Sequence, residues 1–215
     1  IGVDPVPKIR ILHFLAPRGI DLSHHNYIIM DGLYDSFLFI KGNGYPGRVR
    51  GGWMSSLINA GDGIDIDVFL TRENRSRAID KVAQRIRLNR TKLKDMQDTS
   101  TDYEELTSSI QAGYYIKHGI ASNNEDLFYL SVFVSVSGKT YEELTWRKQQ
   151  MTDMLKSMDM YISDCRFQQE AALRTMMPFV KIAPSLEKKA KRNVLTSGAA
   201  STYMFTSFEM SDDSG

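Results

Sequence analysis

Cysteine is almost missing from this chain. Cys165 stands alone, so no intramolecular disulfide can form, and this thiol usage fits a reducing compartment. Long apolar runs are missing too: none approaches the roughly 20 residues that a membrane-spanning helix needs. The opening residues carry no signal-peptide pattern. A charge excess is absent, since the net charge is +1, and this excludes a global field favouring nucleic acid or anionic membrane. With 42% hydrophobic residues in 215, the chain can bury a core as one large or two small domains. It begins at Ile1 rather than Met and closes on "SFEMSDDSG", which reads as an excised domain.

Catalytic constellations are also lacking. His13, His24, His25 and His118 show no zinc-ligand spacing with Cys165. His24 and His25 are adjacent in a loop, so their rings point apart. There is no Gly-x-Ser-x-Gly elbow. Cys165 reads as a buried structural thiol rather than a nucleophile. No catalytic residue, cofactor or metal is expected from these residues.

Two short motifs imitate nucleotide sites. Gly138-Lys139-Thr140 follows an apolar strand and precedes a helix, the setting of a phosphate-binding loop. The leading glycine of that loop would fall at position 133, which is Phe133, and Val134 to Ser137 continue the strand. The residues fit a strand end at Gly138, an N-cap at Thr140 and a capping box closed by Glu143. Gly42, Gly44 and Gly47 have dinucleotide-fingerprint spacing, but Pro46 and Gly51-Gly52 argue against a helix opening there, so a loop is expected.

What is present is an alternation of strand and helix patterns. "PKIRILHFLAPRGIDLSHHN" reads as an extended arm or first strand. Asp31-Gly32 between two β-rich runs predicts a hairpin, because both turn positions want positive φ. "WMSSLINA" is a short helix ended by Gly61. In "IDIDVFL", Ile64, Ile66, Val68 and Leu70 share one face and Asp65, Asp67 and Phe69 the other. The two aspartates could hold a metal, yet no His or Glu is near in sequence, so a solvated or ion-paired face is favoured. Ile79, Val82, Ile86, Asn89, Leu93 and Met96 then step by three and four, a narrow seam with a polar Asn89 inside it. Thr101 and Glu104 form another capping box, and Tyr103, Leu106, Ile110, Gly113 and Lys117 repeat the stepping. Two such helices predict an antiparallel helical hairpin over 73–120.

"LFYLSVFVSVS" is a long strand, followed by a helix that turns Leu144, Met151, Leu155 and Met158 inward. "MYISDCRF" is a strand, and "QQEAALRTMMPFV" a helix stopped near Pro178. "SLEKKAKRN" reads as a basic linker. The expected fold is α+β: a mainly antiparallel sheet with helices on one face, plus the long helical hairpin. Residues 1–60 would be an arm, hairpin and short helix, 61–180 the core, and 181–215 a basic linker and C-terminal helix.

The first hairpin helix is strongly basic, and Arg75, Arg77, Arg85, Arg87 and Arg90 are the candidate interaction surface. Its charges spread around the helix without interleaved aromatic residues. A solvated or protein-facing helix is therefore favoured over a nucleic-acid contact.

The order of segments resembles a known family. Ala16-Pro17 with Gly19-Ile20-Asp21 precedes the hairpin, and Trp53 with Leu57 precedes Ile64-Asp65-Ile66-Asp67-Val68. A charged helical region and a final "TYMFTSFEMSDDSG" follow. This set is similar to the N-terminal region of the VirB-four-type ATPases of type IV secretion and conjugation, closest to Gram-positive conjugative-transposon members. The resemblance implies a non-catalytic docking and assembly domain, leading after Gly215 into an ATPase domain that carries the phosphate loop. It implies inner-membrane secretion components, the chain's own ATPase domain and other subunits as partners, and a peripheral place on the cytoplasmic face of the membrane. Weak contact of the basic helix with anionic lipid fits, at about 1 kcal/mol per cation. The alternative is a single-stranded nucleic-acid-binding module that uses the basic helix over 72–94.

Overall fold

In the computed structural model, residues 17–95 and 101–204 are described. Seven strands form one antiparallel sheet: β1 (Ile20–Asp21), β2 (Ile28–Met30), β3 (Leu33–Ile40), β4 (Ile64–Arg72), β5 (Leu127–Gly138), β6 (Ile162–Asp164) and β7 (Arg192–Leu195). Six α-helices are described: α1 (Arg75–Lys94), α2 (Thr101–Ser122), α3 (Tyr141–Ser157), α4 (Gln169–Met176), α5 (Pro184–Ala190) and α6 (Thr196–Ser201). A 3-10 turn spans Ser55–Asn59. The α+β class is as expected from the sequence.

The sheet order is β1-β2-β3-β5-β4, with β6 beside the far half of β3 and β7 beside the near half of β5. Asp31 and Gly32 have φ of 52° and 84°, so the β2–β3 connection is the tight turn the sequence predicts. β7 and β3 take successive stretches of one edge of β5. Between them the Val132 N–H donates to the Tyr45 hydroxyl at 3.2 Å, which satisfies the backbone donor there.

The even-numbered side of β5 carries Leu130, Val132, Val134 and Val136. With Leu38 and Ile40 it packs on Leu144, Met151 and Leu155 of α3, as the helical spacing predicts. Met54 and Leu57, from the 3-10 region, complete this core. Leu70 departs from the expected inward set and is 44% exposed. It sits toward the end of β4, an edge strand.

The opposite face is covered as well. Phe37, Phe39 and Phe133 pack there against Ala172 of α4 and Leu186 and Ala190 of α5. The stretch expected to be a basic linker is thus α5 followed by β7. Pro184 stands in the first turn of α5, where a missing N–H costs nothing, and Leu186 and Ala190, four apart, point into the core. Strands from all three sequence segments join the one sheet.

A candidate interaction surface on the helical hairpin

The hairpin of α1 and α2 grows from the β4 and β5 strand ends. Asn74 caps α1, its side chain accepting from the Ser76 and Arg77 amides. At the base, Ala78 and Ile120 pack with Leu127 and Leu195. Arg72 pairs with Asp126 at 2.8 Å. The Glu73 carboxylate accepts from Lys81 and, at 2.7 Å, from the Tyr129 hydroxyl. The Lys81 hydrogen bond, then that of Tyr129, pulls the Glu73 carboxyl down to about 2. Lys191 stands over the Tyr129 ring at 3.5 Å, a cation–π contact from β7's flank.

Further out, the two helices meet through their own seam. Val82 and Ile86 are buried. Gly113 faces Ile86 so closely that a Cβ there would lie 2.7 Å from Ile86 Cγ1. Asn89, the polar residue in the seam, donates from Nδ2 to Ser109 Oγ at 2.9 Å. Past Gly113 the seam continues through Ile116 and Ile120, and Lys117 is exposed rather than inward. The step from Gly113 is three residues to Ile116 and then four to Ile120, which packs on Leu127 and Leu195 at the base. Met96 lies outside the described residues, and so does the side chain of Thr101.

The five candidate arginines do not form one patch. Arg75 turns into the hairpin, where it donates to the Ile120 carbonyl and to Asn124 Oδ1. That position ties the two helices together at their root. Arg77, Arg85, Arg87 and Arg90 are exposed. Arg85 and Arg87 lie about 200° apart around the helix, on opposite flanks of the buried stripe. Arg90 reaches the Tyr114 hydroxyl at 3.3 Å. Between these cations stands Leu88, 56% exposed, and α2 presents Tyr114 at 46% and Tyr115 at 68% exposed. The two tyrosines and Leu88 were not singled out from the sequence. The available signal was that Tyr114 and Tyr115 fall off the Leu106–Ile110–Gly113 stepping.

The nucleotide look-alikes resolve into local structure. Gly138 ends β5, and Thr140 Oγ1 accepts from the Glu143 amide at 3.2 Å. The Glu143 carboxylate returns to the Lys139 amide at 2.7 Å, one residue earlier than the Thr140 amide of the standard box. Gly42 lies in a loop held by its N–H donating to the Lys189 carbonyl at 2.8 Å, and a side chain there would strike the Lys191 carbonyl. Cys165 is buried, and burial pushes its thiol up to about 12, which makes it a poor nucleophile. His24 stacks on Tyr27 at 4.2 Å while His25 tilts against Phe167. Asp65 and Asp67 share a face, as alternation requires. Among the described residues no group of three or more His, Cys, Asp or Glu is placed to hold a metal ion, and no helix is long and apolar enough to cross a membrane. No family model matches the chain, and no curated protein matches it.

Proposed function

We propose that this chain is a non-catalytic docking and assembly domain of a type IV secretion ATPase, and that the α1–α2 hairpin is its contact arm. The observation that carries this reading is the hairpin's attachment. It packs on the rest of the chain at its base, through Ala78, Ile120, Leu127 and Leu195. Its outer length is left to display Arg85, Arg87, Leu88 and Tyr115. A two-helix arm costs chain length and ordering entropy. Leu88, on the side of α1 turned away from α2, and Tyr115, on the side of α2 turned away from α1, offer apolar contacts on both outer flanks of the arm, with Arg85 and Arg87 beside Leu88. Inner-membrane secretion components, other subunits and the chain's own ATPase domain are the partners of this reading. The chain would sit peripherally on the cytoplasmic membrane face.

The test replaces residues 83–115 by a short Gly-Ser connection, which keeps Ala78, Ile79, Ile116 and Ile120 over Leu127 and Leu195. The sheet should remain folded, since its core is independent of the hairpin's outer seam. Retention on vesicles carrying the inner-membrane components should be lost. Undiminished retention would remove the hairpin from the reading.

A second reading has one observation of its own. Tyr114 and Tyr115 supply, from α2, the aromatic faces that α1 lacks, and Arg90 touches Tyr114. Aromatic platforms beside cations suit single-stranded nucleic acid. This reading requires oligonucleotide binding that falls steeply with salt and is lost in Tyr115→Ala and in Arg85→Glu/Arg87→Glu. Binding unchanged by these substitutions would dispose of it.

A further inference from the structure

β4 is an outer strand of the sheet, and its edge is nine residues long. Hydrogen bonds just past its two ends fix which way its main chain points. The Ser137 N–H donates to the Gly63 carbonyl at 2.7 Å, and the Glu73 N–H to the Leu127 carbonyl at 2.9 Å. Bonded pairs with β5 therefore fall at the odd-numbered residues of β4. Ile64, Ile66, Val68 and Leu70 turn their N–H and C=O groups outward. Among the described residues, no hydrogen bond reaches these outward groups, and β5 is the only element that runs along β4.

Long edges are commonly blocked by Pro, Lys, a bulge or a charge. β4 has no Pro and no Lys, and its nine successive pairs with β5 leave no bulge. Ile64, Ile66 and Val68 join the core under α3, whereas Leu70, on the same side, is 44% exposed. Asp65 and Asp67 stand on the other side. Burial, then the charge of Asp65, pushes the Asp35 carboxyl up to about 6 and raises that of Asp67 as well. An additional acid set opposite these residues is unfavourable, so the two aspartates select which strand and which register can lie beside β4.

The strand meets this condition with itself. Val68 is the middle residue of Ile64–Arg72, so an antiparallel pair with its two-fold axis at Val68 overlaps the whole strand. On the α3 side, Ile64 then faces Arg72 and Ile66 faces Leu70 of the second copy. On the other side, Asp65 faces Thr71 and Asp67 faces Phe69. No acid faces an acid. Axes at Asp65 or Asp67 would set an aspartate opposite itself. An axis at Ile66 would set Asp65 opposite Asp67, and axes at Phe69 or Leu70 would set Asp65 or Asp67 opposite Glu73.

We propose that β4 pairs with β4 of a second copy of this chain, antiparallel about Val68, so that two sheets join into one. The pairing satisfies the outward main-chain groups and covers Leu70 with Ile66 of the second copy. It goes beyond the docking reading and does not depend on the hairpin. Each α1 follows the Arg72 end of its own β4, so the two hairpins start at opposite ends of the paired strands.

The test is sedimentation of the full chain over a range of concentrations, where a reversible monomer–dimer equilibrium is expected. Val68→Pro removes one outward N–H and no ladder bond to β5, and should abolish the dimer. Thr71 is exposed, so its variants keep the fold. Thr71→Asp should weaken the dimer by roughly threefold or more, and Thr71→Lys should tighten it by a similar factor. An equimolar mixture of Asp65→Cys and Thr71→Cys should oxidise to a linked dimer, whereas either variant alone should not, because like positions lie about 20 Å apart in this register. Cys165 is buried and does not compete. A monomer up to millimolar concentration would overturn the proposal. So would a dimer indifferent to Val68→Pro and to both Thr71 variants, or linkage as efficient in one variant alone as in the mixture. Dimerisation seen only after removal of residues 1–16 would give the edge to the chain's own N-terminal segment, and loss of the dimer in Arg85→Glu/Arg87→Glu would give the contact to the hairpin; either would overturn it too. Replacing residues 83–115 should leave the dimer intact, so this proposal and the docking reading fail separately.

Discussion

Asn89 and Ser109 meet across the hairpin, Nδ2 to Oγ at 2.9 Å, and fix one register of α1 against α2. A polar pair inside an apolar seam has few alternative partners, so sliding either helix would strand both groups. A double-mutant cycle with Asn89→Ala and Ser109→Ala should give a coupling of about 0.5–1.5 kcal/mol. Additive effects would show that the register is set elsewhere.

Gly113 sets how closely the helices approach. A methyl group there would meet Ile86 Cγ1 at 2.7 Å, so Gly113→Ala should destabilise the hairpin despite the better helix propensity of alanine. In an Ile86→Ala background the same substitution should turn stabilising, by about 0.5–1 kcal/mol. Denaturant melts of the four proteins check this. An unchanged sign in both backgrounds would contradict the close approach.

Asp35 gives a pH signature. Its folded carboxyl is raised to about 6, so the folded state holds the proton more tightly than the unfolded state. Its contribution is most favourable below the unfolded value, near 3.9, and declines as pH rises through about 6. Asp35→Asn should flatten the stability curve between those limits and should be the more stable protein at neutral pH. Glu73 acts oppositely. Its carboxyl is lowered to about 2, so its support is present above the unfolded value and is lost as pH falls toward 2. Glu73→Gln should remove stability at neutral pH and little at pH 2. Parallel curves for wild type and each variant would refute the assignment.

Thr140 is a cap, and Lys139 is part of a turn. Thr140→Ala should cost about 1 kcal/mol through loss of the Glu143 amide bond. Mg-ATP should leave the melting temperature unchanged, where a ligand at 100 times its dissociation constant would add about 2.7 kcal/mol. A clear upward shift that disappears in Lys139→Ala would show nucleotide binding.

Much of this architecture is legible in residue order. Asp31-Gly32, the Ile64–Val68 alternation and the three–four stepping of Val82, Ile86 and Asn89 each announce an element, because turn chemistry and periodicity are local. Leu186 and Ala190 were hidden in a run of lysines. A helix of seven residues makes about two turns, so its apolar stripe repeats once, as Leu186 and Ala190, and it is the packing on Phe37, Phe39 and Phe133 of the sheet that defines it. The candidate surface was half legible. Composition marked α1 as basic, but the inward turn of Arg75 depends on where α2 ends, at Ile120 and Asn124. The burial of Asp35 depends on packing over the sheet, and a strand pattern does not encode that.

The docking reading is tested most directly by site-specific photocrosslinking in cells carrying an active conjugation apparatus. A photoreactive residue is placed at Leu88, at Tyr115, and at Lys156 on α3 as a control. The account predicts adducts to an inner-membrane protein from positions 88 and 115 and none from 156. Adducts to DNA alone, or an equal yield from all three positions, would contradict it.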